Sequence, residues 1–187
     1  PVAGQLRQQS FLSEKWDFRL DRDEAEDVWE QVDVPHTWNA TDGTSPDYYR
    51  GDGTYRYTLS VSPAMMKKRI FLRFEAASQK AEVKLNGQEV GEHVGGFNAF
   101  CFEITPYVHA GENLLEVAVS NRKELDIAPL EGDFTVFGGI YRPVSLLLLP
   151  KACITPLDYA SSGVYVSQQV GERRADLSVV TKVDNGL

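Results

Sequence analysis

Lys80-Ala81-Glu82-Val83-Lys84-Leu85-Asn86-Gly87 is the stretch that decides the fold class. Ala81, Val83 and Leu85 alternate with Lys80, Glu82 and Lys84, so an extended chain there has one apolar and one charged face. Asn-Gly follows, the dipeptide that most readily takes up the positive φ angles of a two-residue hairpin turn. Upstream, Tyr55, Tyr57, Leu59 and Val61 alternate with Arg56, Thr58 and Ser60. The same period-2 pattern returns around Trp16, Phe18 and Leu20; Ile70, Leu72 and Phe74; Phe100, Phe102 and Ile104; and Leu115, Val117 and Val119. Gly, Pro, Asn or Asp clusters separate these runs at the spacing of a β-sandwich. No long amphipathic helix is expected; residues 23–31 suit one or two helical turns, capped by Asp23 and anchored by Val28 and Trp29. The expected class is all-β.

Composition narrows the function. The 187 residues are 42% hydrophobic and 25% charged, which describes a folded chain, and a formal net charge of −8 repels phosphate backbones, so no nucleic-acid partner is expected. The longest aliphatic run, Leu146 to Leu149, is far too short for a membrane-spanning helix. His36, His93 and His109 share no short ligand spacing and no Cys pair completes a tetrahedral set, so neither a metal nor a cofactor is expected. Cys101 and Cys153 are either two thiols or one bridge. The sequence starts at Pro1 rather than Met, so any export signal is expected to have been removed or not included; the sequence leaves the location open, with the periplasm or the exterior slightly favoured over the cytoplasm.

A boundary is expected at Pro150, because Val144–Leu149 is apolar on both faces and a fresh pattern follows it. This divides the chain into residues 1–150 and residues 151–187, the latter with two further strand patterns at 163–168 and 176–184. An immunoglobulin-type sandwich needs about seven strands, so residues 151–187 are expected to be the truncated start of one. Residues 164–184 are then expected to pack on the first sandwich or on another copy of the chain, with self-association through an exposed strand edge.

Several motifs stand in one order: Val34-Pro35-His36-Thr37-Trp38-Asn39, Tyr49-Arg50-Gly51-Asp52-Gly53-Thr54, Val83-Lys84-Leu85-Asn86-Gly87, Gly91-Glu92-His93-Val94-Gly95-Gly96-Phe97, Val119-Ser120-Asn121 and Gly138-Gly139-Ile140-Tyr141-Arg142-Pro143. From about Leu6 to Pro150 the chain resembles the N-terminal sugar-binding domain of glycoside hydrolase family 2, and its Pro-His-Thr-Trp-Asn form is similar to the β-galactosidases. The resemblance implies a jelly-roll sandwich, then an immunoglobulin-like sandwich, then a TIM barrel that holds both catalytic glutamates of a retaining mechanism. Catalytic residues are therefore expected to be absent here, and the domain is expected to rim a site for terminal β-galactosides. The expected partners are the carbohydrate and the barrel of the same chain. Asp133 matches the aspartate that reaches toward galactose hydroxyls, a task suited to a two-oxygen acceptor. Arg50 stands where the family has a contacting Asn. Asp47, Tyr48, Tyr49 and Arg50 together offer hydroxyl acceptors, a guanidinium and aromatic faces. The alternatives are an autonomous carbohydrate-binding module, or the same domain from a β-glucuronidase or β-mannosidase.

The remaining conspicuous residues have structural readings. His36 is expected to hydrogen-bond within the sandwich, and the glycines around His93 to let a strand bulge. Trp16, Trp29 and Trp38 are expected in the core. Glu103 and Glu116 are expected on a solvated outward face.

Overall fold

The alternating stretches pair into two antiparallel sheets. A computed structural model describes residues 7–21, 28–130 and 132–186. Along the chain come β1 (Gln8–Phe11), β2 (Trp16–Asp21), β3 (Glu30–Val32), β4 (Asp52–Val61), β5 (Arg69–Phe74), β6 (Lys80–Leu85), β7 (Gln88–Val94), β8 (Phe100–Glu103), β9 (Gly111–Ser120) and β10 (Val144–Leu149). One sheet has six strands in the order β3-β2-β4-β9-β6-β7, and the other four in the order β1-β10-β5-β8. Between them lie the predicted apolar positions, with Trp16, Tyr55, Ile70, Leu72, Phe74, Leu85 and Leu115 fully buried, each worth about 1.5–3 kcal/mol in transfer free energy. The chain is an all-β sandwich of jelly-roll type.

Local chemistry explains the details. Asn86 (φ 52°) and Gly87 (φ 77°) turn β6 into β7. The register between these strands shifts at Val83/Lys84, a bulge beside Gly91, where any Cβ would meet the Phe102 ring. The helical turns expected at 23–31 are not formed at their end, because residues 30–32 pair with β2 as β3; Asp23 lies outside the described residues. Trp16 is buried with its indole donating to the Leu12 carbonyl at 2.9 Å. Trp29 departs from the core expectation: it is half-buried, with the Arg19 and Arg56 guanidiniums over its ring at 4.9 and 4.2 Å. Two outward-facing arginines on adjacent strands draw it there by cation–π attraction.

Beyond β10 the chain forms two ribbons, β11 (Ala152–Ile154) with β14 (Val183–Asn185), and β12 (Val164–Val170) with β13 (Ala175–Thr181). The single strand expected over 176–184 is thus two, because the chain changes partner at Lys182, whose N–H bonds Gly163 and whose carbonyl accepts from Thr155. The ribbons touch the sandwich at few points. Arg69, only 8% exposed, grips Glu103 through two bonds (3.0 and 2.6 Å) and reaches Asp184 at 2.8 Å. Glu103, bound to Arg69, and Glu116, bound to Arg56, are therefore part-buried ion-pair partners rather than the solvated residues expected, and Arg69 holds the Glu103 and Asp184 carboxyls below the usual carboxylate range. Arg73 donates to the Ala160 carbonyl. The expected packing of 164–184 on the sandwich is not formed by β12 and β13, nearly all of which is exposed; Asp184 alone of the described acids there reaches it, through Arg69. Cys101 and Cys153 are free thiols that both pack on Phe71, Leu147 and Leu149, and burial pushes Cys101 up to about 12.

Candidate functional site

Strand register gathers the long loops at one end of the sandwich. Asp52 faces both Asp21 and Ser120, Lys80 faces Ser120 and Val94, and Phe74 faces Val144 and Phe100. The connections at 39–51, 75–79, 95–99 and 121–143 therefore emerge side by side. Three buried amides join them. The Asn39 carboxamide donates to Asp42 (3.0 Å) and the Tyr49 carbonyl (2.9 Å), while its oxygen accepts from the Gly138 N–H at 2.8 Å. Asn121 accepts from the Gly51 N–H and donates to the Val136 carbonyl, both at 2.8 Å. Gln79 donates to the Pro129 carbonyl at 3.1 Å and accepts from Arg50. All three are at most 1% exposed, so these amides replace the hydrogen bonds that a buried loop backbone would otherwise lack.

Trp38 and His36 complete the frame. The Trp38 indole lies so close to Gly138 that a Cβ there would come within 2.0 Å of the ring, which leaves room for glycine alone. Trp38 also stacks on Phe18 at 5.9 Å. His36 shares a 2.8 Å hydrogen bond with the buried Tyr55 hydroxyl, as the structural reading expects. Desolvation lowers the His36 pKa and raises that of Tyr55, so both rings are neutral near pH 7. His93 stacks on Phe100 at 4.3 Å and bonds the Gly95 carbonyl. Among the described residues no group of three or more His, Cys, Asp or Glu side chains is placed to hold a metal ion.

The four residues expected at the site fall into two kinds. Arg50 is committed to the protein: it donates to the Asn121 carbonyl (2.7 Å), the Leu130 carbonyl (3.0 Å) and Gln79 (3.1 Å), tying three loops together. Tyr49 is likewise engaged, its hydroxyl donating to the Asp21 carbonyl at 3.2 Å and accepting from the Asp52 N–H at 3.3 Å. Asp47 and Asp133 are exposed, and their carboxylates make no hydrogen bond or ion pair among the described residues. The loops that carry these two acids adjoin: the Val136 N–H donates to the Tyr48 hydroxyl at 3.0 Å, and Thr135 donates to the Gly43 carbonyl. The end of the domain thus presents free hydroxyl acceptors on a braced frame. Beside it, on the outer face of the six-stranded sheet, a groove of about 350 Å³ is lined by Asp21, Asp52, Lys80, Glu82, Ser120 and Arg122 among others, and by neither Arg50 nor Asp133. The bracing amides carry no signal of their own in the sequence beyond closing the Pro-His-Thr-Trp-Asn and Val-Ser-Asn motifs.

The chain is similar to known proteins. Residues 12–150 match the model of the glycosyl hydrolases family 2 sugar binding domain. The chain is 47% identical over 167 residues to a β-glucuronidase of Bacteroides fragilis, an alignment covering 88% of this chain and 24% of that protein. It is 33% identical to a β-galactosidase of Thermoanaerobacter pseudethanolicus over 89% of this chain and 22% of the other. A crystal structure of a Bacteroides uniformis β-glucuronidase superposes with a TM-score of 0.89 at 40% identity, over 96% of this chain and 22% of that one. The chain spans about a quarter of the length of these relatives.

Proposed function

Since the chain belongs to glycosyl hydrolase family 2, with the family's sugar-binding domain at residues 12–150, we propose that it serves a retaining β-glycosidase as a non-catalytic domain. In this reading it presents Asp133 to the sugar hydroxyls at the rim of the site. The 47% identity to a β-glucuronidase carries the choice of terminal β-glucuronides as substrate. A second reading, terminal β-galactosides, is favoured by the 33% identity to a β-galactosidase and by the Pro-His-Thr-Trp-Asn segment. In either reading the two carboxyls of retaining hydrolysis, about 5–5.5 Å apart, lie elsewhere in the protein. The ribbons β11–β14 and β12–β13 are read as the first strands of a second, immunoglobulin-like sandwich, a reading supported by the one apolar and exposed face of the β12–β13 ribbon, which carries Val166, Val170, Leu177 and Val179.

The test is hydrolysis of 4-nitrophenyl β-D-glucuronide and β-D-galactoside by the whole polypeptide that carries this domain, and by residues 1–187 alone. The whole protein is expected to prefer the glucuronide by at least about 100-fold in kcat/KM, and the isolated chain to be inactive. Preference for the galactoside selects the second reading. A whole protein inactive on every β-glycoside overturns both.

A further inference from the structure

The loop that carries Asp133 is clamped just beyond it. Val136 is 4% exposed, and its backbone is bonded on both sides: the N–H donates to the Tyr48 hydroxyl at 3.0 Å, and the carbonyl accepts from Asn121 at 2.8 Å. Thr135 adds a bond to the Gly43 carbonyl, and the Phe134 ring folds back over Gly132, where a Cβ would come within 2.4 Å of it. Asp133 is exposed, and its carboxylate makes no hydrogen bond or ion pair among the described residues. Its place is therefore set by the clamp, from which three residues of chain, at most about 11 Å of reach, separate it.

The ties of this clamp differ in what else they hold. Asn121 also accepts from the Gly51 N–H, so its loss disturbs the whole loop frame. Tyr48 and Thr135 stand outside the amide network: among the described residues each hydroxyl makes one hydrogen bond, Tyr48 with the Val136 N–H and Thr135 with the Gly43 carbonyl. Both bonds join the 39–51 loop to the Asp133 loop. The far side is itself fixed, since the Gly43 N–H bonds the Asn39 carbonyl at 3.0 Å and the Asp42 carboxylate accepts from Asn39 and from the Tyr49 N–H. We infer that Tyr48 and Thr135 are positioning residues for the sugar contact: by holding residues 135 and 136 they fix where the Asp133 carboxylate stands. A carboxylate accepts a hydroxyl only within a narrow range of distance and angle, and a misplacement of about 1 Å can cost about 100-fold in rate. This inference rests on the reading of Asp133 above and adds to it the residues through which the frame sets that carboxylate.

The experiment is a double-mutant cycle in the whole enzyme on its preferred 4-nitrophenyl glycoside, with kcat/KM and melting temperature measured for Tyr48→Phe, Asp133→Ala and the two combined. Tyr48→Phe is expected to lower kcat/KM about tenfold in the wild-type background. In the Asp133→Ala background, where no carboxylate remains to be placed, the loss is expected to be less than about twofold. The change in melting temperature is expected to be the same in both backgrounds, so the coupling in kcat/KM separates positioning from support of the fold. If Tyr48→Phe does not fold, Thr135→Val, which cuts the parallel bond, is measured in the same cycle with the same expectation. Wild-type kcat/KM in Tyr48→Phe, or an equal loss in both backgrounds, overturns the inference and leaves the glycosidase reading intact. Wild-type kcat/KM in Asp133→Ala overturns the reading of Asp133, and this inference with it. A whole protein inactive on every β-glycoside overturns the glycosidase reading and all that rests on it.

Discussion

β10 and β13 are apolar strands of similar length in opposite surroundings. Every residue of Val144–Leu149 except Leu148 is buried: Val144 and Leu146 face the main core, and Leu147 and Leu149 lie with Phe71, Cys101 and Cys153 on the sheet's other side. Every residue of Ala175–Thr181 is exposed, with Leu177 at 65% and Val179 at 60%. The difference lies in neighbours, since β10 sits between β1 and β5 under the β11 ribbon, whereas β13 has β12 alone. An apolar strand stabilises a fold only in proportion to what covers it, and a lone two-stranded ribbon covers neither of its faces.

Truncation makes the contrast measurable. Leu147→Ala is expected to destabilise the chain by about 3 kcal/mol in urea unfolding, from lost transfer energy plus a cavity. Leu177→Ala is expected to stay within about 0.5 kcal/mol, as for any uncovered side chain. Equal losses would break the comparison. At the loop end, Asn121→Ala leaves the Gly51 N–H and the Val136 carbonyl without partners inside the protein. A loss of about 2 kcal/mol is expected, on the scale of unsatisfied buried groups, and a neutral result would mean that the amide network does not brace the loops.

The effect of pH is smaller and has a definite sign. Burial lowers the pKa of His36 and His93 in the folded state, while an unfolded histidine titrates near 6.5. Protons then bind preferentially to the unfolded chain, so stability is level above about pH 7 and falls as the pH drops through the unfolded value. Glu75 and Glu103, held low by Arg73 and Arg69, add a second loss as the pH falls through their folded values, below 4.5. Melting temperatures taken between about pH 7.5 and pH 5.5 are expected to decline in the wild type and to decline less in His36→Gln. A rise on acidification would contradict the assignment.

How far the sequence could be read follows from the same physics. Period-2 alternation gave the strands of the sandwich, and the run Val144–Leu149 read as buried on both faces and is so, because apolar residues fall on both faces of the strand and its one polar side chain, Ser145, is bonded by Gln9. Short edge strands were not legible: β1 and β3 alternate over too few residues, and the apolar anchors at 28 and 29 looked helical. The partner change at Lys182 was hidden because the alternation of Leu177, Val179, Thr181 and Val183 runs unbroken across it. At the site, residue type suggested that Arg50 and Tyr49 meet the ligand, yet a guanidinium and a phenol bond backbone carbonyls as readily as hydroxyls. Which of the two they do depends on loops distant in sequence, those of Asn121 and Leu130 for Arg50.

The central claim is that Asp133 meets the sugar while Arg50 holds the frame. The direct measurement is kcat/KM together with melting temperature for Asp133→Ala and Arg50→Met in the whole enzyme, on its preferred 4-nitrophenyl glycoside. Asp133→Ala is expected to lower kcat/KM by about 100-fold at an unchanged melting temperature, since a free carboxylate contributes to transition-state binding and not to packing. Arg50→Met is expected to lower the melting temperature by several degrees, because it removes three internal hydrogen bonds. An Asp133→Ala enzyme with wild-type kcat/KM, or an Arg50→Met enzyme that loses activity at full stability, would contradict the account.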